Sequence, residues 1–178
     1  MSSILTVLKK ESVMNSYEQL KTEVVRRNDF SSEFNSVKRI IRWNRFSIAI
    51  ENEQGDYRKW VDPQGKSGKT FMNFPYGFII SQLRGHDGDS IDVYIGPDKN
   101  SAYVFVVTQL DPKTGQYDED KVMLGFTTAK QAVAAYQSQY NSPKFFGGVS
   151  TYWIDDFEHR VTRKCKSIGY ERGGCYES

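Results

Sequence analysis

The spacing of apolar side chains changes twice along the chain. In the first stretch Tyr17, Leu20 and Val24 recur at helical spacing behind Ser16 and Gln19, which fit a capping box. A helical lead-in is therefore expected up to about Arg27, with the polar run Asn28–Ser36 as a connector. From Val37 the period shortens. Ile48 and Ile50 alternate with small or polar residues up to Glu51, and Tyr57–Val61 follows a turn across Asn52–Asp56, a pattern that predicts a β-hairpin. Asp62–Thr70 reads as a turn-rich loop, and Phe71–Ile80 as a buried strand. Asp92–Ile95 reads as a strand stopped by Gly96-Pro97, Ala102–Leu110 as the strongest strand, and Lys121–Phe126 as a shorter one. Thr127 or Thr128 then caps a helix with Ala132, Val133, Tyr136 and Tyr140 on one face. Gly147-Gly148 break the chain, Ile154–Arg163 forms a last short helix, and Lys164–Ser178 forms a loose tail.

Helix, short strands with tight turns, then helices: this order predicts an α+β domain built around a small antiparallel barrel or sheet. The expected organisation is a helical N-terminal extension over 1–36, a folded domain over 37–163 and a flexible tail over 164–178.

Composition narrows the function classes. With 38% hydrophobic and 26% charged residues, wholesale disorder, collagen and coiled coil are excluded. The 24 Lys and Arg against 22 Asp and Glu leave a net charge of +2, which advertises neither nucleic acid nor an anionic membrane as partner. Apolar runs such as Tyr103–Val107 are too short to span a bilayer. Ile4–Leu8 precedes Lys9 and Lys10, the reverse of a signal peptide, so no targeting segment is expected. Cys165 and Cys175 read as two thiols in a reducing cytoplasm, with one disulfide as the alternative in an oxidising compartment.

The densest chemistry lies in His86–Pro97, HDGDSIDVYIGP. Asp87, Asp89 and Asp92 crowd together, and Gly88 allows a sharp bend. Close carboxylates repel, and a cation among their oxygens relieves the repulsion; oxygen-only donors suit hard ions, chiefly Mg²⁺. The alternative is an exposed turn in which Asp caps backbone amides. The strand directly behind the cluster, which can hold ligands rigidly, favours the cation. In QYDEDKVMLGF, Asp118, Glu119 and Asp120 precede Lys121. They read either as further ligands with a phosphate-binding cation or, more simply, as a solvated charged turn. Arg58 and Lys59 on the expected return strand, with Lys66 and Lys69 in the glycine loop, are cations of the kind polyphosphate hydrolysis needs. GKSGKT lacks the spacing and the following helix of a P-loop. His86, next to the cluster, reads either as a ligand or proton relay or, more simply because hard-ion sites prefer oxygen, as an exposed turn histidine, and His159 as a surface residue.

Tyr76-Gly77-Phe78-Ile79 followed by DGDSIDV at Asp87–Val93 resembles the signature of the soluble (family I) inorganic pyrophosphatases, where a YGYI-type strand leads to a DGDPxDV metal loop. IENEQGDYRKW, DGDSIDVYIGP, VFVVTQLDPKTGQYDEDKVMLGF and the helix around Tyr136 are more similar still to the pyrophosphatase-like module of phage polyvalent and small phage proteins. The resemblance covers about Arg42–Tyr140. It implies a five-stranded OB-like antiparallel β-barrel with flanking helices, two or more Mg²⁺ ions, and hydrolysis of pyrophosphate or a related small diphosphate. Carried over by motif, Asp87, Asp89 and Asp92 are metal ligands, with Asp92 bridging two ions and orienting the attacking water. Glu119 and Lys121 match the family's acid-x-Lys pair, as ligand and phosphate binder. Asp118 is a neighbouring candidate ligand, Glu51 matches the carboxylate of the early strand, and Tyr76 lines the site. One of Arg58, Lys59, Lys66 or Lys69 supplies the phosphate-binding cations. The chain departs from the family at Ser90, where Pro is usual, at Met72, where a second Tyr is usual, and at Gln137, where Lys follows the tyrosine.

Three functions compete. The first is a Mg²⁺-dependent phosphoanhydride hydrolase in the cytoplasm of an infected bacterial host. The second is a catalytically weak or inactive phage protein, virion-associated or host-directed, that keeps the barrel and binds a phage or host protein. The third is a nucleic-acid-binding OB module, which near-neutral charge and an acidic loop oppose. Further copies of the chain are an allowed partner in each case, and a membrane in none.

Overall fold

The computed structural model describes residues 33–62, 65–81, 85 and 88–162. The expected N-terminal helix, the tail with Cys165 and Cys175, and the loop residues His86 and Asp87 lie outside them. The strands are β1 (Arg39–Trp43), β2 (Phe46–Asn52), β3 (Tyr57–Val61), β4 (Ser67–Phe71), β5 (Tyr76–Ile80), β6 (Asp92–Ile95), β7 (Tyr103–Leu110), β8 (Tyr117–Leu124) and β9 (Phe146–Trp153). Helix α1 (Ala129–Gln137) follows β8, and α2 (Ile154–Thr162) follows β9. Among the described residues no helix is long and apolar enough to cross a membrane.

Seven strands form one sheet in the order β1-β2-β5-β6-β8-β7-β9, and β3 and β4 form a separate ribbon. Among the described strands, only β6 and β8 pair in parallel. The α+β class stands, but the five-stranded barrel does not: the order runs from β1 to β9 without closing. The physical reason is that both faces of the sheet are covered. On one face Ile48, Ile50, Ile79, Val93, Val104, Val106, Val122 and Leu124 pack with Phe157 and Val161 of α2. On the other, Tyr76, Tyr94, Phe105, Val107 and Met123 pack with Ala132, Ala135 and Tyr136 of α1. A sheet shielded by a helix on each side need not curl on itself to bury its core.

The expected hairpin also differs. Strand β2 pairs with β1 and β5, and β3 pairs with β4. Ile48, Ala49 and Ile50 are all buried, so β2 is a central strand needing a partner on each side, whereas β3 is largely exposed. The second half of the expected Asp62–Thr70 loop is strand β4, and Gly147-Gly148 lie inside β9 rather than breaking the chain. Gly77 has a steric cause: a Cβ there would stand 1.8 Å from the Ala49 carbonyl oxygen, so the close approach of β2 and β5 requires glycine. Thr128 is the cap of α1, its hydroxyl accepting from the Gln131 N–H at 3.2 Å.

Candidate active site

Alternation along four adjacent strands builds the site on the face that α1 covers. In β6, Val93 and Ile95 join the core under α2, so Asp92 and Tyr94 project the other way. In β8, Val122 and Leu124 join that same core, which turns Glu119 and Lys121 to the side of Asp92. The parallel register Val93↔Val122 sets Asp92 beside Lys121, and the antiparallel register Phe78↔Asp92 brings β5 with Tyr76 alongside.

Lys121 is the centre. Its side chain is 3% exposed, and its ammonium bridges the Asp92 and Glu119 carboxylates, the latter at 2.8 Å. The Tyr76 hydroxyl donates to the same Asp92 oxygen, Oδ2, at 2.5 Å. Burying an unpaired ammonium is costly, so the two carboxylates are what make this position tenable. Burial pushes the Lys121 ammonium down, but the Asp92 carboxylate above all, with Glu119, outweighs it and the group lies well above its ordinary value. Lys121 therefore stays charged. Burial pushes the Glu119 carboxyl up, against the opposing pull of Lys121. Burial likewise drives the Tyr76, Tyr94, Tyr136 and Tyr140 hydroxyls up, so all four remain neutral donors.

The ribbon lends one cation. In β3–β4, Lys59 lies opposite Lys69, and Lys69 Nζ stands 4.5 Å over the Tyr57 ring. Arg58 alternates to the other face and places its guanidinium 4.6 Å over the Tyr76 ring. Burial lowers the Arg58 guanidinium, and Tyr76 and Asp92 more than offset it. Lys66 is exposed at the end of the ribbon, its backbone N–H bonded to Asp62. Among the described residues, Arg58 is thus the one of these four cations in contact with the cluster.

The remaining sequence-predicted acids are spread out. Asp118 is exposed, and both it and Glu119 accept from the Gln109 amide, at 3.0 and 2.8 Å. Glu51 sits at the irregularity where β2 passes Tyr76 and Gly77, and its carboxylate accepts from the Ser36 hydroxyl. Asp89 is exposed in a loop where Gly85 N–H bonds to its carbonyl at 2.8 Å and Gly88 takes a φ of 88°. Asp87 lies outside the described residues. Among the described residues no three acidic, His or Cys side chains converge as a metal cage. The donor type is nonetheless that of a hard divalent cation: Asp92, Glu119 and Asp118 offer carboxylate oxygens, and Lys121 offsets the first two.

Gln109, Tyr94 and Tyr140 were absent from the sequence expectation of the site. Gln109 carries a signal in the sequence, for it continues the buried Phe105–Val107 face of the most apolar strand, where a polar side chain must have partners. Tyr94 shares the Asp92 face by simple alternation. Tyr140 lies beyond the end of α1 and stacks on Tyr136 with centroids 4.6 Å apart, as their shared helix face predicts, although that spacing gives it no role in the site.

The family model for inorganic pyrophosphatase matches residues 28–162. No curated protein and no solved structure matches the chain. The matched stretch takes in every strand and both helices, with the Asp92–Lys121–Glu119 centre inside it. The chain belongs to the inorganic pyrophosphatase family.

Proposed function

We propose that this chain hydrolyses inorganic pyrophosphate, or a closely related small phosphoanhydride, with Mg²⁺ as cofactor. Pyrophosphate hydrolysis and a general use of Mg²⁺ come with the family. The observation that carries the reading to this chain is the buried Lys121 ammonium set between Asp92 and Glu119, with Arg58 over Tyr76.

Asp92 and Glu119, with Asp87, Asp89 and Asp118, are the oxygen donors for the cation. The cation supplies charge neutralisation for the phosphates and acidifies water. The chain's own groups do the rest. Lys121 and Arg58 present fixed positive charge to phosphate oxygens in a partly water-excluded pocket, where such charges act more strongly than in water. Tyr76 and Lys121 both hold Asp92 Oδ2, which leaves Oδ1 to accept a proton from an attacking water. The neutral tyrosines bring no competing negative charge, and the hydroxyls of Tyr76 and Tyr136 are committed to Asp92 and Gln109. Pyrophosphate hydrolysis asks for positioning and electrostatic stabilisation more than for covalent chemistry, and these groups provide both.

The second reading is a binding module with weak or no turnover. One observation favours it: the half-buried Asp92 and Glu119 carboxylates already share the chain's own lysine. Origin in a phage, action in the infected bacterial cytoplasm and association with a virion rest on the resemblance to phage modules alone.

Phosphate release from pyrophosphate, with and without Mg²⁺, separates the two. Metal-dependent release by wild type that is lost in Asp92→Asn supports the hydrolase. No release at any Mg²⁺ concentration, from protein with intact far-UV dichroism, leaves the binding module.

A further inference from the structure

The structure assigns a positioning role to Gln109: it holds the Glu119 and Asp118 carboxylates side by side next to Lys121, set to receive the divalent cation. This inference rests on the reading of the site as a pyrophosphatase centre.

The register of β7 and β8 carries the argument. Thr108 pairs with Asp120 and Leu110 with Tyr117, so Gln109 alone faces the two residues Asp118 and Glu119. Regular alternation would send those acids to opposite faces of the sheet. The bulge re-aims them, and such irregularities concentrate beside functional sites. Both carboxylates then reach one side-chain nitrogen: Gln109 Nε2 donates to Asp118 Oδ2 at 3.0 Å and to Glu119 Oε1 at 2.8 Å. Its two N–H bonds are thereby spent, one on each acid. Glu119 Oε2 meets Lys121 at 2.8 Å, so this carboxylate is fixed at both oxygens.

The amide is also held from behind. Gln109 is 5% exposed, and its Oε1 accepts from the Tyr136 hydroxyl at 2.9 Å. A flipped amide would turn its oxygen on two carboxylates and its nitrogen on a hydroxyl donor, so only one orientation is tenable. A second irregularity, between Thr108 and Gln109 in the pairing with β9, sets Gln109 opposite Phe146, and the Tyr136 hydroxyl also lies 3.2 Å from the Phe145 carbonyl. Tyr136 of α1 is therefore the backstop of a relay that runs through Gln109 to the acids. Partners of this kind, one step behind a ligand, typically change metal affinity about 10–100-fold when removed.

The test uses the full chain and Mn²⁺ as probe, titrated by electron paramagnetic resonance of the free ion. Gln109→Met keeps the length and removes the amide; Tyr136→Phe removes only the backstop hydroxyl. The expected result is Mn²⁺ binding weakened about tenfold or more in Gln109→Met and less in Tyr136→Phe. In phosphate release, the Mg²⁺ concentration for half-maximal rate rises while the KM for pyrophosphate at saturating Mg²⁺ is unchanged. Wild-type Mn²⁺ affinity in a folded Gln109→Met overturns the inference and leaves the hydrolase reading standing. If Gln109→Met does not fold, an unchanged affinity in Tyr136→Phe overturns it instead. Weakened Mn²⁺ binding in variants of a protein that releases no phosphate supports the role of Gln109 and sinks the hydrolase. Absence of Mn²⁺ binding in wild type overturns both.

Discussion

A lysine 3% exposed is unusual enough to demand a reason. Lys121 has two carboxylates, and they share it; removing Lys121 leaves Asp92 and Glu119 facing each other without a counter-charge. Arg58 is the second fixed cation. Its guanidinium carbon stands 4.6 Å from the centre of the Tyr76 ring, a cation–π contact. Arg58→Met is expected to lower kcat/KM by about 10–100-fold, the range for losing a hydrogen bond to a charged group. Lys69→Met, on the opposite face of the ribbon, is expected to stay within about twofold, since an exposed lysine contributes little at that separation. Equal losses in steady-state kinetics of the two variants would contradict the placement of Arg58.

At the scale of elements, irregularities position the chemistry more than the regular strands do. The bulge in β8 turns two acids onto one amide, and the irregularity in β2 leaves Glu51 out of the register with β5, its carboxylate on the Ser36 hydroxyl. Two contacts outside the site hold the framework. Glu158 of α2, 4% exposed, accepts from the Arg45 backbone N–H at 2.8 Å in the turn between β1 and β2. Glu158→Ala should cost about 1–3 kcal/mol in urea unfolding, since it strands a partly buried donor. At the β1 edge, Arg39 holds the Glu53 carboxyl below its ordinary value through a side-chain hydrogen bond. A depressed carboxylate stabilises the fold above its unfolded value of 4.5 and loses that contribution as pH falls through the folded value. Glu53→Gln should therefore lower stability at pH 7 by no more than about 0.5 kcal/mol, the pair being largely exposed, and match wild type well below pH 4. A deficit that persists in acid would contradict this assignment. Much of the element pattern was legible from the sequence: β6 and the cap of α1 fall where alternation and the Thr128 signal put them. Strand β1 was not, because Arg39–Trp43 is short and two of its five residues are arginine. Nor was β9, whose glycines read as breakers. Asp92, Lys121 and Tyr76 were legible as candidates because motif and alternation agree. Gln109 was not, because its role depends on a register two strands wide.

The whole molecule separates stability from chemistry. A seven-stranded sheet carries one helix on each face, and the charged centre lies on the face of α1 alone. Phe157 of α2 is fully buried on the opposite face, against Phe46 with ring centroids 6.0 Å apart. Phe157→Ala should cost about 3–5 kcal/mol of stability while the protein that remains folded keeps its kcat/KM. Loss of activity beyond the folded fraction would show that the two faces are coupled. The account as a whole turns on the buried ammonium as the charge that meets phosphate. The most direct measurement is the rate of phosphate release from pyrophosphate in saturating Mg²⁺ for wild type, Lys121→Met and Lys59→Met, each checked for folding by circular dichroism. The account predicts release by wild type, a fall of about 10²–10³ in kcat for Lys121→Met, the loss typical of one preorganised charged donor, and a near wild-type rate for Lys59→Met. A folded Lys121→Met that turns over at the wild-type rate, or a wild type that releases no phosphate at all, would contradict it.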